Sequence, residues 1–171
     1  MKQGWRIGFA AALVSVIGLG LSTTGAQAAP TQAATTIAIP AEVSTFRLNV
    51  SSLLNSFYST YGSRLSQSER TQMSGLINQV DQVLGTLYRQ STLSAKLART
   101  NAPRVKQRQA AAAVAKTYDA AFADSNANME KLQPIIAPKL SLFEALSAKS
   151  DLDQSQRDFE NLGIHIHQAA R

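Results

Sequence analysis

Leu65-Ser66-Gln67-Ser68-Glu69-Arg70-Thr71-Gln72-Met73-Ser74-Gly75-Leu76-Ile77-Asn78-Gln79-Val80-Asp81-Gln82-Val83-Leu84-Gly85-Thr86-Leu87-Tyr88 decides how the chain folds. Ser66 and Glu69 stand at the spacing of a capping box, in which hydroxyl and carboxylate satisfy amides that a helix start leaves bare. A helix therefore opens at Ser66. Behind the cap, Met73, Leu76, Ile77, Val80, Val83, Leu84, Leu87 and Tyr88 step by three and four, the stripe of a helix with one buried face. The stripe extends through Leu93 and Leu97 to Thr100. Pro103 stops it, with Asn101 and Ala102 completing a turn.

The same period appears on both sides. Upstream, Val43, Phe46, Val50, Leu53, Leu54, Phe57, Tyr58 and Tyr61 form a stripe that Gly62 ends in the manner of a C-cap. Downstream, Arg104 to about Leu132 is rich in alanine, the strongest helix former, with Val114, Tyr118, Phe122, Met129 and Leu132 as a thinner stripe. Pro134 and Pro138 break the chain. A short helix from Lys139 to about Lys149 follows, and Asp153 with Gln156 repeats the capping signal to open a last helix. Strand alternation is missing. The pattern predicts an all-α fold, either an antiparallel long-helix hairpin or a four-to-five-helix bundle, over residues 42–171.

Residues 1–28 read as a cleavable signal peptide: Lys2 and Arg6, an uncharged apolar run from Ile7 to Leu21, then Ala26-Gln27-Ala28, with small residues where a signal peptidase requires them. The apolar run is short of the ~20 residues of a membrane-spanning helix. The expected location is the periplasm or the exterior, with cleavage after Ala28. Residues 29–41, small, β-branched or proline without period, read as a disordered leader. The absence of cysteine excludes a lipid anchor, disulfides, thiolate zinc and thiol catalysis, so the domain must rely on its core.

The whole chain carries a net charge of +6, and its cations are concentrated. No acidic residue lies between Asp81 and Asp119, while Arg89, Lys96, Arg99, Arg104, Lys106, Arg108 and Lys116 all do. A one-signed segment favours anionic partners; a solvated helix face beside a turn is the plainer alternative. Export and the lack of interleaved stacking aromatics argue against nucleic acid. The segment also lacks the bulky apolar face of a strong membrane-surface helix.

Two windows resemble each other, Leu65-Ser66-Gln67-Ser68-Glu69-Arg70 and Leu152-Asp153-Gln154-Ser155-Gln156-Arg157. Together they resemble the paired Leu-Thr-x-x-Gln motifs of Spy- and CpxP-like periplasmic proteins, with Ser or Asp for Thr and, in the first, Glu for Gln. The resemblance covers two six-residue windows, besides size, charge and helical content. It implies a curved homodimer whose concave basic surface binds unfolded or anionic protein clients without ATP, or docks on envelope components. Residues 89–116 would then face the client.

His165 and His167 are the only histidines. At i and i+2 on a regular helix they point apart and cannot share an ion; in an extended tail His-x-His binds copper, nickel or zinc loosely. A four-helix bundle with methionines and a late histidine is similar to the four-helix b-type cytochromes, but the first helix holds no methionine to serve as second haem ligand. No phosphate loop, nucleophile elbow or zinc-protease motif is present. The expectation is a non-enzymatic binding protein without cofactor, the alternative a compact bundle enclosing a small ligand, metal or haem.

Overall fold

A computed structural model describes residues 32–171. The expected signal peptide and residues 29–31 lie outside the described residues. Four helices follow one another: α1 (Gln32–Tyr61), α2 (Gln67–Arg99), α3 (Arg104–Ile136) and α4 (Leu142–Ala170). Single 3-10 turns, Gly62–Arg64 and Ala137–Lys139, lead into α2 and α4. Both α1 and α3 pack on α2 and α4, so antiparallel neighbours close a ring. The all-α expectation holds, in its four-helix-bundle form.

α2 begins as the sequence indicates. Ser66 Oγ accepts from the Glu69 amide and the Glu69 carboxylate accepts from the Ser66 amide. Its buried face carries Met73, Leu76, Val80, Leu84 and Leu87. At its far end Asn101 is the one non-glycine residue with positive φ (49°) among the described residues, turning the chain into Pro103 and α3.

Elsewhere the structure corrects the local reading. The leader expected over residues 29–41 is helical from Gln32, ten residues before the first predicted turn. Thr36 and Ile39 are buried there against α2, α3 and α4, and burial overrides a weak local preference. Pro40 is carried inside the helix. Gly62 is not a left-handed cap, since it has no positive φ and begins a 3-10 turn. α3 runs through Pro134 to Ile136. The two helices expected after residue 139 are one. Ser141 and Glu144 form its capping box, while Asp153 and Gln156 lie mid-helix and pair with Lys149 and Glu160 one turn away.

The true twin of Arg64-Leu65-Ser66-x-x-Glu69 is thus Lys139-Leu140-Ser141-x-x-Glu144, displaced by 75 residues. The same displacement pairs eight buried positions of one hairpin with eight of the other. Thr36, Ile39, Val43 and Phe46 correspond to Ala111, Val114, Tyr118 and Ala121; Met73, Leu84, Leu87 and Ser91 correspond to Ala148, Phe159, Leu162 and Ile166, and all are buried. The two hairpins, α1–α2 and α3–α4, thus share a register at these positions.

The hairpins brace each other where their 3-10 turns meet. Arg64 forms a two-pronged pair with Glu144 (2.8 and 2.9 Å) and donates to the Lys139 carbonyl, while Lys139 reaches Glu69 at 3.3 Å. Each base precedes one capping box and binds the carboxylate of the other. Mid-bundle, Phe46, Tyr118, Phe122 and Phe159 interlock, with Phe46 stacked on Phe159 at 4.6 Å. Gly163 leaves room for the Tyr118 ring, whose hydroxyl donates to the Phe159 carbonyl. Burial, then the negative charges of Glu160 and Asp119, push that phenol up to about 12.

Candidate functional site: the basic tip of the bundle

The ends of the bundle differ in how they handle charge. At the braced end both helix starts carry a Ser–Glu box, and each box carboxylate also meets a base. At the other end α2 hands over to α3. Here α3 has Pro103 at its cap position, no side chain bonded to its first amides and no acid in its first turn. The positive pole of its dipole is therefore unscreened. Arg104, Lys106 and Arg108 add formal charge at the same place, and Lys96 and Arg99 flank it from the last turn of α2.

All seven predicted cations, Arg89, Lys96, Arg99, Arg104, Lys106, Arg108 and Lys116, are exposed, and none is in an ion pair among the described residues. The structure brings them to one end unequally. Lys96 to Arg108 surround the turn itself. Arg89 and Lys116 lie ten residues before Arg99 and twelve after Arg104, ~15–18 Å down their helices, and Arg89 bonds Thr86. Part of this charge has a structural use, because Lys96 and Arg99 complement the negative pole of α2. Arg104, Lys106 and Arg108 oppose the pole of α3, an arrangement that disfavours the isolated helix and favours an anion.

The turn is held from within. The Thr100 amide donates to the Lys96 carbonyl and the Ala102 amide to the Leu97 carbonyl. Gln107 Nε2 donates to the Ala102 carbonyl at 2.6 Å. Leu93 (51%) and Val105 (67%) are the large exposed apolar side chains of this end. The surface is convex; the long apolar stripes of all four helices face inward.

His165 and His167 leave α4 on opposite sides, as their spacing requires. His165 Nδ1 lies 2.8 Å from Glu42 on α1, and His167 Nε2 lies 3.0 Å from Asp119 on α3. The two do not share a site, and no group of three or more metal-ligating side chains occurs among the described residues. The core space between Thr36, Ile39, Ser91, Ser94, Ala111, Val114, Ile166 and Ala169 is too narrow for a water molecule. No described helix is long and apolar enough to cross a membrane.

Local reading missed the long-range ion pairs. Arg47 clamps Asp81 with two bonds of 2.8 and 2.9 Å, which hold its carboxyl below the usual range. The bonds of Glu144 to Arg64, then to Ser141, bring its carboxyl down to about 2. The resemblance based on two motif-led helix starts loses one of them, since residues 152–157 lie within α4. Compared with protein-family models, with curated proteins and with solved structures, the chain matches none.

Proposed function

We propose that the protein is an exported, non-enzymatic binder that captures anionic segments of other proteins on the tip formed by the α2–α3 turn. The observation that carries this reading is the unpaired state of Lys96, Arg99, Arg104, Lys106 and Arg108 around an uncapped helix start, in a molecule whose other end gives each capping-box carboxylate a basic partner. Convergent cations raise the rate at which acidic partners are gathered, and the bond is salt-sensitive. Leu93 and Val105 supply weak apolar contact beside the charge. Arginine predominates over lysine, which suits two-pronged contact with carboxylates.

Chaperone-like action on unfolded acidic clients, or docking on envelope components, belongs to this reading in a restricted form. The client would meet a convex tip instead of a concave cradle, because the apolar stripes are occupied in the core. The test uses a reduced, carboxymethylated acidic protein as probe. Wild-type protein should bind it in low salt and release it as salt rises. Charge reversal at Arg99, Arg104 and Arg108 should abolish binding and leave helicity intact. Unchanged binding by the reversed variant overturns the proposal.

A further inference from the structure

The register shared by the two capping boxes provides an internal control on the surface. In the α1–α2 hairpin the residues that follow the capping serine are Gln67 and Ser68, with Thr71 one turn on; their counterparts in α3–α4 are Leu142, Phe143 and Leu146. These three are the most exposed cluster of large apolar side chains in the described residues, at 74%, 83% and 58%. Both hairpins build the same box and the same inter-hairpin ion pair. The turn therefore works with polar groups at these positions, and folding does not explain Leu142, Phe143 and Leu146. A contiguous apolar patch without a structural use marks a contact surface.

We infer that Leu142, Phe143 and Leu146 form a self-complementary patch through which two copies of this chain associate end to end, braced tip against braced tip. Charge selects a second copy as the occupant. Over residues 64–70 and 130–153 the five cations Arg64, Arg70, Lys131, Lys139 and Lys149 are balanced in number by Glu69, Glu130, Glu144, Asp151 and Asp153, so this end carries no net charge. An anionic lipid surface would require an excess of cations beside the apolar groups, and the excess is at the other end. Two copies meeting at the neutral ends place their basic tips ~100 Å apart, twice the ~50 Å of a 33-residue helix. That separation is far beyond the ~8–10 Å over which exposed charges interact in physiological salt, so repulsion does not oppose the contact.

The area sets its strength. Three side chains at these exposures offer roughly 400 Å² per copy, taking ~200 Å² for each large apolar group. The roughly 800 Å² in total falls short of the ~1,200 Å² of stable complexes, which makes the dimer reversible. It would be twofold symmetric and closed, presenting a basic tip at each end.

Sedimentation equilibrium of the purified protein, from micromolar to millimolar, should show a reversible monomer–dimer equilibrium within that range. The variant L142Q/F143S/L146T carries the side chains of the twin turn and should weaken association at least tenfold while its thermal midpoint holds. A second measurement leaves the patch intact. With no native cysteine, a single spin label can be placed by Ser150→Cys or by Thr100→Cys. Labels beside the patch should couple strongly between copies, and labels at the basic tip should not couple at all. A monomer at every concentration, a dimer that survives the triple variant, or strong coupling between labels at residue 100 overturns the proposal. So does patch-dependent binding of monomer to neutral phosphatidylcholine vesicles, which would assign the surface to lipid.

Discussion

Gly163→Ala should destabilise the bundle, although alanine is the better helix former. A β-carbon at residue 163 would lie 2.3 Å from both Cζ and the hydroxyl oxygen of Tyr118. That ring is buried, in contact with Phe122 and Phe159, and its hydroxyl is committed to the Phe159 carbonyl. Making room means breaking that bond and driving the ring into its neighbours, at a cost of about 1–3 kcal/mol for overpacking. The gain from replacing a mid-helix glycine is only about 1 kcal/mol. Tyr118→Ala alone should cost about 3–5 kcal/mol, as truncation of a large buried aromatic does. In the Tyr118→Ala background the obstacle is gone, and Gly163→Ala should now stabilise by up to ~1 kcal/mol. The sign reversal is diagnostic, and a double-mutant cycle by urea titration at 222 nm measures it. A stabilising effect of Gly163→Ala in both backgrounds would refute the close Tyr118–Gly163 approach.

Acid titration tests the brace between the hairpins. Glu144 sits at about 2, below its ordinary 4.5, so its contribution is complete above pH ~4.5 and is lost as pH falls toward 2. Glu144→Gln should flatten the fall in stability across that window, read from denaturation at several pH values. Leu87→Ala, at a fully buried position, should cost about 2–5 kcal/mol by the same titration. Asn101→Ala should cost about 1 kcal/mol through its left-handed backbone, while Asn101→Gly should be neutral or better; thermal midpoints separate the two.

What is local is legible in α2: its box, its stripe from Met73 to Leu87 and its turn into α3 depend on residues adjacent in the chain, whereas Tyr88 and Leu93, which continue the stripe in sequence, are exposed. The basic segment was legible for the same reason, because a run without acids between Asp81 and Asp119 has no nearby partner to neutralise it. The failures are those of long-range packing. Nothing local tells that Thr36 and Ile39 are buried, because the neighbours that cover them are Ser91, Val114 and Ile166. Lys139-Leu140-Ser141-x-x-Glu144 was available as a closer copy of the first capping segment than residues 152–157. Pro138 and the apolar Leu142-Phe143 obscured it, and those apolar residues are what distinguish the two hairpins. The pairs Arg47–Asp81 and Arg64–Glu144 join residues remote in sequence, so no spacing rule reveals them.

The tip is tested most directly by following backbone amide shifts while the carboxymethylated probe is added to the wild-type protein. Binding at the α2–α3 turn should move the resonances of residues 96–108 first and in a salt-dependent way, leaving the braced end unmoved. Shifts centred on residues 142–146, or on the helix faces around Phe46 and Phe159, would contradict capture by the basic tip.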